Sequence, residues 1–583
     1  MRGARLQSAR RRVNPADGGR YRMEDERMRP EIWSRKEGGP RGLTRRTLLG
    51  AGAASGAALL TGGLGRFLEA ASTAGVRTVD DGAPWVGATI PALQSMMASR
   101  LFGSRELTQG YLARIDKLNP LLNAVIETNP EAVAIAARLD NERRRGHVRG
   151  PLHGIPVIVK DNIATDDAMQ TTAGSLALVN ARVPGDAPLI RQLREAGAVI
   201  LGKANLSEWA NFRGFSYSGW SARGGFTRCP YVLGNDPYGS SSGSAVAVAA
   251  DLCSVAVGTE TDGSIMAPAH ANSAFGLKPT VGRIPGSGII PIASSQDTAG
   301  ALSRTATDAA ILLGALSDPA VDFTSVLARG ALAGAKIGID WKYFTDPFWG
   351  FPPVLPIMQR ALDAMTHLGA ELVEVETDPS WLLEPWEFTV LLYEFKVQIA
   401  EYLATLRHSE ARTLADLIAF NNTHCWQEMK YFGQEIFEWA EATSGDLTDP
   451  EYVLAREACI AKSRTEGIDA ALASSDPPLD ALVSPTWSWL YSFAAVAGYP
   501  SVSLPAGYQD DGSPVGFCFV GGAWQEGRLL GLAYDLEQEL GAQRPPDYLG
   551  SVPPEPPDAG ICEGRPKPHG GTGNVNWRNR HVL

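Results

Sequence analysis

Histidine is scarce in this chain, with eight in 583 residues, and that scarcity narrows the chemistry available to it. A hydroxyl nucleophile needs a base beside it, and histidine is the usual one. Here His367, His408 and His424 fall in helical patterns with no acid-bearing loop to match, and His153 and His270 read as structural histidines with satisfied ring nitrogens. Cysteine is equally thin. Cys229, Cys253, Cys425, Cys459, Cys518 and Cys562 are scattered and no two stand at metal-ligand spacing, so no metal site is expected and most of them read as small core hydrophobes. No cofactor is called for either. Positive charge is in deficit once the first residues are set aside: residues 1–46 hold 14 Lys/Arg against 6 Asp/Glu, a net of +8, while the whole chain carries −11, which leaves about −19 on the remainder. A body that acidic argues against nucleic acid as a partner, because phosphate binding requires clustered positive charge.

The basic N-terminal stretch has a recognisable layout. Leu43, Thr44, Arg45, Arg46, Thr47, Leu48 and Leu49 lead into a Gly/Ala-rich run ending near Leu64, then Glu69 to Ala74 with small residues. That order of twin arginines, weakly apolar segment and small residues is the pattern of a twin-arginine export signal, and it predicts a periplasmic or extracellular protein. The run is about 17 residues and only mildly apolar, short of the ~20 strongly apolar residues that a membrane span needs, so no stable membrane insertion is expected. The segment before Arg41 is long for such a signal, which makes Met23 and Met28 candidate translation starts.

Beyond the leader, helix-period and strand-period segments alternate. Asp186–Gly197 reads as a helix closed by glycine and Ala198–Leu201 as a buried strand; Pro353–Leu368 and Glu371–Glu376 repeat the plan. Strand signals recur at Ser254–Thr259, Ala481–Ser484, Pro500–Pro505 and Val515–Val520, with a helix over Glu526–Leu540. The alternation predicts an α/β layered fold whose sheet draws on distant parts of the chain. Residues 387–467 are mostly helical, with Leu391, Leu392, Phe395, Ile399 and Tyr402 in a stripe suited to a lid or, more commonly, to core. From Arg544 onward proline, glycine and charge dominate, the composition of an unpacked tail. The expected division is therefore 1–74 for the basic extension and signal, 75–543 for the folded domain and 544–583 for the tail.

Three short segments carry chemistry: Val159-Lys160-Asp161, the serine run Gly239–Ser244, and Thr259–Ser264. Lys160 follows Ile155, Pro156, Val157, Ile158 and Val159, an apolar stretch that would strip water from its amine and disfavour the ammonium form. A neutral lysine can serve as a base, and a serine between it and the nucleophile can accept and donate a proton at once. Ser264 follows a predicted strand, and the intervening turn of Thr261, Asp262 and Gly263 can aim successive backbone N–H groups at one point, as an oxyanion hole requires.

Together, His153–Asn162, Gly239–Ser244 and Gly258–Ile265 resemble the amidase signature family, including the 24-residue step from Ser240 to Ser264. The resemblance runs from about Ala92 to Leu540, and Ser218–Gly225 and Gln296–Gly300 are particularly similar to bacterial peptide amidases. It implies the amidase-signature fold, a large mixed β-sheet core covered by helices on both faces. It also implies catalytic Lys160, Ser240 and Ser264, with Ser264 as nucleophile, Ser240 as a bridging serine on a cis peptide bond and Lys160 as base. The backbone of Thr261, Asp262, Gly263 and Ser264 becomes the oxyanion hole, and Asp161, Ser241, Thr171, Thr172 and Ser175 a supporting shell. The implied substrate is a small-molecule or peptide amide, with C-terminally amidated peptides foremost and small aryl or alkyl amides as the alternative. Family members commonly have Gly-Gly before the nucleophile and Arg two residues after it; here Asp262 and Met266 occupy those places.

Two rivals use the same residues. Gly239-Ser240-Ser241-Ser242-Gly243 also fits a G-x-S-x-G nucleophile elbow with Ser241 attacking, a motif that needs a strand directly before it. Gly234 to Tyr238 reads instead as a turn. A non-catalytic exported binding protein on the same scaffold is the other, and the intact Lys160, Ser240 and Ser264 speak against it.

Overall fold

Among the described residues eleven strands form one mixed sheet, and most are buried on both faces, which is why they read as continuous apolar runs instead of alternating ones. The computed structural model describes residues 82–565. In chain order the strands are β1 (Val125–Thr128), β2 (Pro156–Lys160), β3 (Val199–Ala204), the short hairpin β4 (Trp220–Ser221) and β5 (Gly225–Phe226), β6 (Val255–Glu260), β7 (Phe275–Lys278), β8 (Thr298–Ser303), β9 (Lys336–Ile339), β10 (Glu371–Glu374), β11 (Ala481–Pro485), β12 (Ser501–Tyr508) and β13 (Pro514–Val520). The large sheet has the order β1-β3-β2-β6-β8-β7-β12-β13-β11-β9-β10; β4 and β5 pair separately. Sequence-distant strands are thus neighbours, as anticipated, and helices such as Pro188–Glu195, Leu355–His367 and Glu526–Leu540 lie where the 3.6-residue pattern predicts them.

The part of the sheet that matters for chemistry is its parallel β3-β2-β6 section, with Val159 opposite Lys203 on one side and Val257 on the other. Parallel strands discharge their carboxyl ends at the same edge, the usual place for a site in such sheets. Lys160 ends β2 and Glu260 ends β6. The helix Ser242–Ala249 packs below, every residue buried. A side chain at Gly243 would collide with the backbone of Ala124 and Asn205 at 2.3–2.6 Å, so only glycine lets this helix approach the sheet.

The stripe on the helix Trp386–Thr405 is core: Leu391, Phe395, Ile399 and Tyr402 join Trp209, Phe212 and Phe437 in a second apolar cluster. Among the described residues no helix is long and apolar enough to cross a membrane.

The unpacked tail is corrected over residues 544–565. Tyr548 and Leu549 donate backbone hydrogen bonds to Pro230 and Tyr231, Leu233 returns one to Leu549, and Ala559 bonds to Lys430. Cys562 is fully buried and disulfide-bonded to Cys425 across 137 residues. Proline-rich composition forbids a helix or a central strand, but not an extended segment tied down at single points. The other four cysteines are buried thiols, as expected. The N-terminal extension, the twin-arginine segment and residues 566–583 lie outside the described residues.

Candidate active site

Lys160, at the carboxyl end of β2, is wholly enclosed. Its Nζ makes three short contacts: Ser240 Oγ at 2.8 Å, Thr259 Oγ1 at 2.9 Å and Thr259 O at 3.1 Å. Asn162 donates to the same Thr259 hydroxyl at 3.0 Å. Burial lowers the lysine pKa to about 7, against the opposing pull of Glu260 and Asp297. This is the predicted desolvation, and its partners decide what the neutral amine does. The Thr259 carbonyl can only accept, and the Thr259 hydroxyl already accepts from Asn162. The charged amine donates to all three partners, and once neutral it keeps two N–H bonds and a lone pair that the Ser240 hydroxyl, at 2.8 Å, can meet.

Ser240 is buried and follows a cis peptide bond from Gly239. The next residue joins the serine run to the third segment, since Ser241 N–H donates to the carbonyl of Ser264 at 3.1 Å. The Ser241 hydroxyl is fully engaged: it donates to Thr259 O at 3.0 Å and accepts from Thr259 N–H at 3.2 Å. It is also completely buried, whereas Ser264 retains 7% exposure. No strand leads into Ser241; the residues before it form turns and bends. The elbow reading lacks both its strand and an available hydroxyl.

Just after Ser264 the backbone N–H groups of Ile265 and Met266 turn inward to Glu260 Oε2, at 2.6 and 2.9 Å. Thr261, Asp262 and Gly263 form the preceding turn, with Gly263 at φ +77°, and a Cβ there would also meet the ring of Tyr491 at 2.8 Å. Asp262 Oδ1 accepts from Ser492 Oγ at 3.0 Å. Met266, where family members commonly have arginine, is fully buried at the start of a short helix.

Of the residues expected to support the site, Ser241 bonds to Thr259 beside the lysine, and the side chains of the other four have different partners. Asp161 accepts from the Thr172 hydroxyl and from Gly174 N–H, with Arg223 Nη1 at 3.5 Å. Thr171 instead accepts from a second buried lysine, Lys203, at 2.8 Å. Ser175 donates to Glu428 at 3.2 Å. They shape the loop after β2, while the hydrogen bonds of the Lys160 amine go to Ser240 and Thr259. His270 is structural as expected: its Nδ1 accepts from Gly516 N–H at 2.9 Å, and burial lowers its pKa to about 4. His153 Nε2 lies 3.0 Å from Leu139 O.

Sequence reading gave no role to Thr259, Glu260, Gln296 or Asp297. Thr259 and Glu260 were visible only as strand residues, and Gln296–Gly300 only as a resemblance. Asp297 accepts from Thr261 Oγ1 at 2.5 Å, and burial raises its pKa to about 7.

A family model described as Amidase matches residues 106–530. The chain belongs to the amidase family. This amidase is 48% identical to the crystallised peptide amidase of Stenotrophomonas maltophilia, with a TM-score of 0.75 over 80% of this chain and 100% of that one. It is 36% identical to an amidase family protein of Bacillus anthracis, with a TM-score of 0.72 over 79% and 92% of the two chains. A probable amidase of Arabidopsis thaliana is 39% identical over 486 residues, covering 79% of this chain and 92% of the plant protein. The mixed sheet is that of the peptide amidase structures, and the protein is an amidase, a hydrolase of amide C–N bonds.

Proposed function

We propose that Ser264, Ser240 and Lys160 form the catalytic relay of this amidase. Ser264 Oγ attacks the amide carbonyl carbon. Its proton passes to Ser240 Oγ while Ser240 gives its own to the Lys160 lone pair. The backbone N–H groups of the Thr261–Ser264 turn receive the oxyanion of the tetrahedral intermediate. Collapse breaks the C–N bond as Ser240 protonates the leaving nitrogen and recovers a proton from Lys160. Water, deprotonated by the same route, then attacks the Ser264 ester and releases the acid. The observation that carries this reading is the 2.8 Å contact between Ser240 and a lysine that burial holds near neutrality.

The substrate we propose is a peptide bearing a C-terminal carboxamide. Support comes from 48% identity to a peptide amidase over 80% of this chain and from Asp262 in the turn before Ser264, whose negative charge disfavours an uncapped carboxylate. A panel of amidated peptides set against aryl and alkyl amides, read by ammonia release, tests it. Preferential turnover of the peptides is the expected outcome, and exclusive turnover of small amides refutes it.

We further propose export through the twin-arginine signal at Arg45 and Arg46. The disulfide between Cys425 and Cys562 suits an oxidising compartment.

A further inference from the structure

One loop holds the turn before the nucleophile from two sides. Thr261 donates its hydroxyl to Asp297 Oδ1 at 2.5 Å, and its carbonyl accepts from Gln296 Nε2 at 3.3 Å. The other oxygen of Asp297 is committed to its own loop, accepting from Ile292 N–H at 2.8 Å and Ala293 N–H at 3.0 Å. Asp297 is thus a fixed post and not a mobile side chain.

The loop in turn rests on the helix Trp386–Thr405. Gln296 Nε2 also donates to Glu387 at 3.1 Å, Ser295 N–H to Glu394 at 3.0 Å and Ser294 N–H to Gln398 at 2.8 Å. Residues 387, 394 and 398 lie on one face of a helix of period 3.6, so the helix presents a row of acceptors to the loop. Glu394 is itself braced by Tyr452 Oη at 2.9 Å.

A turn that stabilises a developing oxyanion must keep its N–H groups aimed while charge builds, because a donor that has to reorganise during the reaction loses most of its worth. Thr261 is the first residue of that turn, and both its side chain and its carbonyl are gripped by the loop. We infer that Asp297 and Gln296 are positioning residues that clamp Thr261 and so hold the N–H groups of the Thr261–Ser264 turn toward the oxyanion, with the helix Trp386–Thr405 as their support. The inference rests on the reading of that turn as the oxyanion site.

Because the clamp acts on the transition state and not on substrate docking, loosening it lowers kcat and leaves KM in place. It also affects amides and activated esters alike, since both pass through an oxyanion, whereas damage to the proton relay spares esters with good leaving groups. Thr261→Val removes only the hydroxyl from a β-branched side chain of the same shape, and Gln296→Leu removes only the amide. Full loss of one oxyanion donor costs about 100- to 1,000-fold in kcat, so a misaimed turn is expected to cost about 10- to 100-fold. Steady-state kinetics of both variants on an amidated dipeptide and on a p-nitrophenyl ester decide the matter, with Thr261→Ser as the conservative control that keeps the hydrogen bond. Equal kcat losses on both substrates, unchanged KM and recovery in Thr261→Ser support the clamp. Wild-type kcat in Thr261→Val and Gln296→Leu, a loss confined to KM, or a loss on the amide alone overturns it. Ser264→Ala separates the two levels: if it is dead while the clamp variants are unaffected, only the clamp falls, and if it is fully active the oxyanion reading falls as well.

Discussion

Lys160 Nζ lies 2.8 Å from Ser240 Oγ, with both side chains completely buried, which puts the Ser240 hydroxyl proton within reach of the amine. The geometry separates proton transfer from charge supply, and substitution can tell them apart. Lys160→Arg keeps the charge but cannot accept a proton, so amide turnover is expected to fall by at least 1,000-fold, in the upper part of the ~100- to 10,000-fold span of general-base effects. Lys160→Ala should be equally poor on amides yet keep measurable cleavage of p-nitrophenyl esters, whose leaving group needs no proton. Near wild-type amide turnover by the arginine variant, read by ammonia release, would mean that position 160 only supplies charge.

The lysine must be neutral to work, so kcat/KM should rise with pH along a limb centred near the depressed value of about 7. The carboxylate of Glu260 favours the ammonium. Removing that charge in Glu260→Gln makes the amine easier to deprotonate, and the limb should move to lower pH. A pH profile of kcat/KM for the two enzymes checks the sign; a shift to higher pH contradicts the assignment of the limb to Lys160.

The disulfide between Cys425 and Cys562 closes a loop of 137 residues and anchors a segment otherwise held by single contacts such as Glu555 to Lys430 and Tyr431. Cys562→Ser should release residues 550–562 as the first site of limited proteolysis. Identical digestion patterns for the variant and the parent, by mass spectrometry of the fragments, would show that the backbone bonds at Tyr548, Leu549 and Ala559 suffice.

Export is expected to depend on the arginine pair itself. Changing Arg45 and Arg46 together to lysine preserves the charge and should retain the enzyme in the cytoplasm, as cell fractionation would show. Undiminished appearance outside the inner membrane removes the twin-arginine assignment.

The sheet was legible because buried parallel strands are written as unbroken apolar runs, such as Ile155–Val159, and because the helices at Pro188–Glu195 and Glu526–Leu540 carry clean 3.6-residue patterns. Lys160 and Ser240 were legible together because a lysine ending an apolar strand and a glycine-flanked serine run each leave a local mark. Asp297 and Thr259 left none that pointed to a role: their effect depends on which strand lies beside which, and β6 meets β2 and β8 only through long-range pairing. The ties that hold residues 544–565 left no mark in the sequence for a related reason. Composition reports what a segment can bury by itself, while Cys562 is held by a partner 137 residues away.

The central claim is the identity of the attacking hydroxyl. Treating the enzyme with a fluorophosphonate and mapping the modified peptide by tandem mass spectrometry reads it directly, because phosphonylation marks the serine whose proton the relay removes. The account predicts a single adduct on Ser264, formed in step with loss of amidase activity and formed far more slowly in Lys160→Arg. An adduct on Ser241, or complete inactivation with Ser264 unmodified, would contradict it.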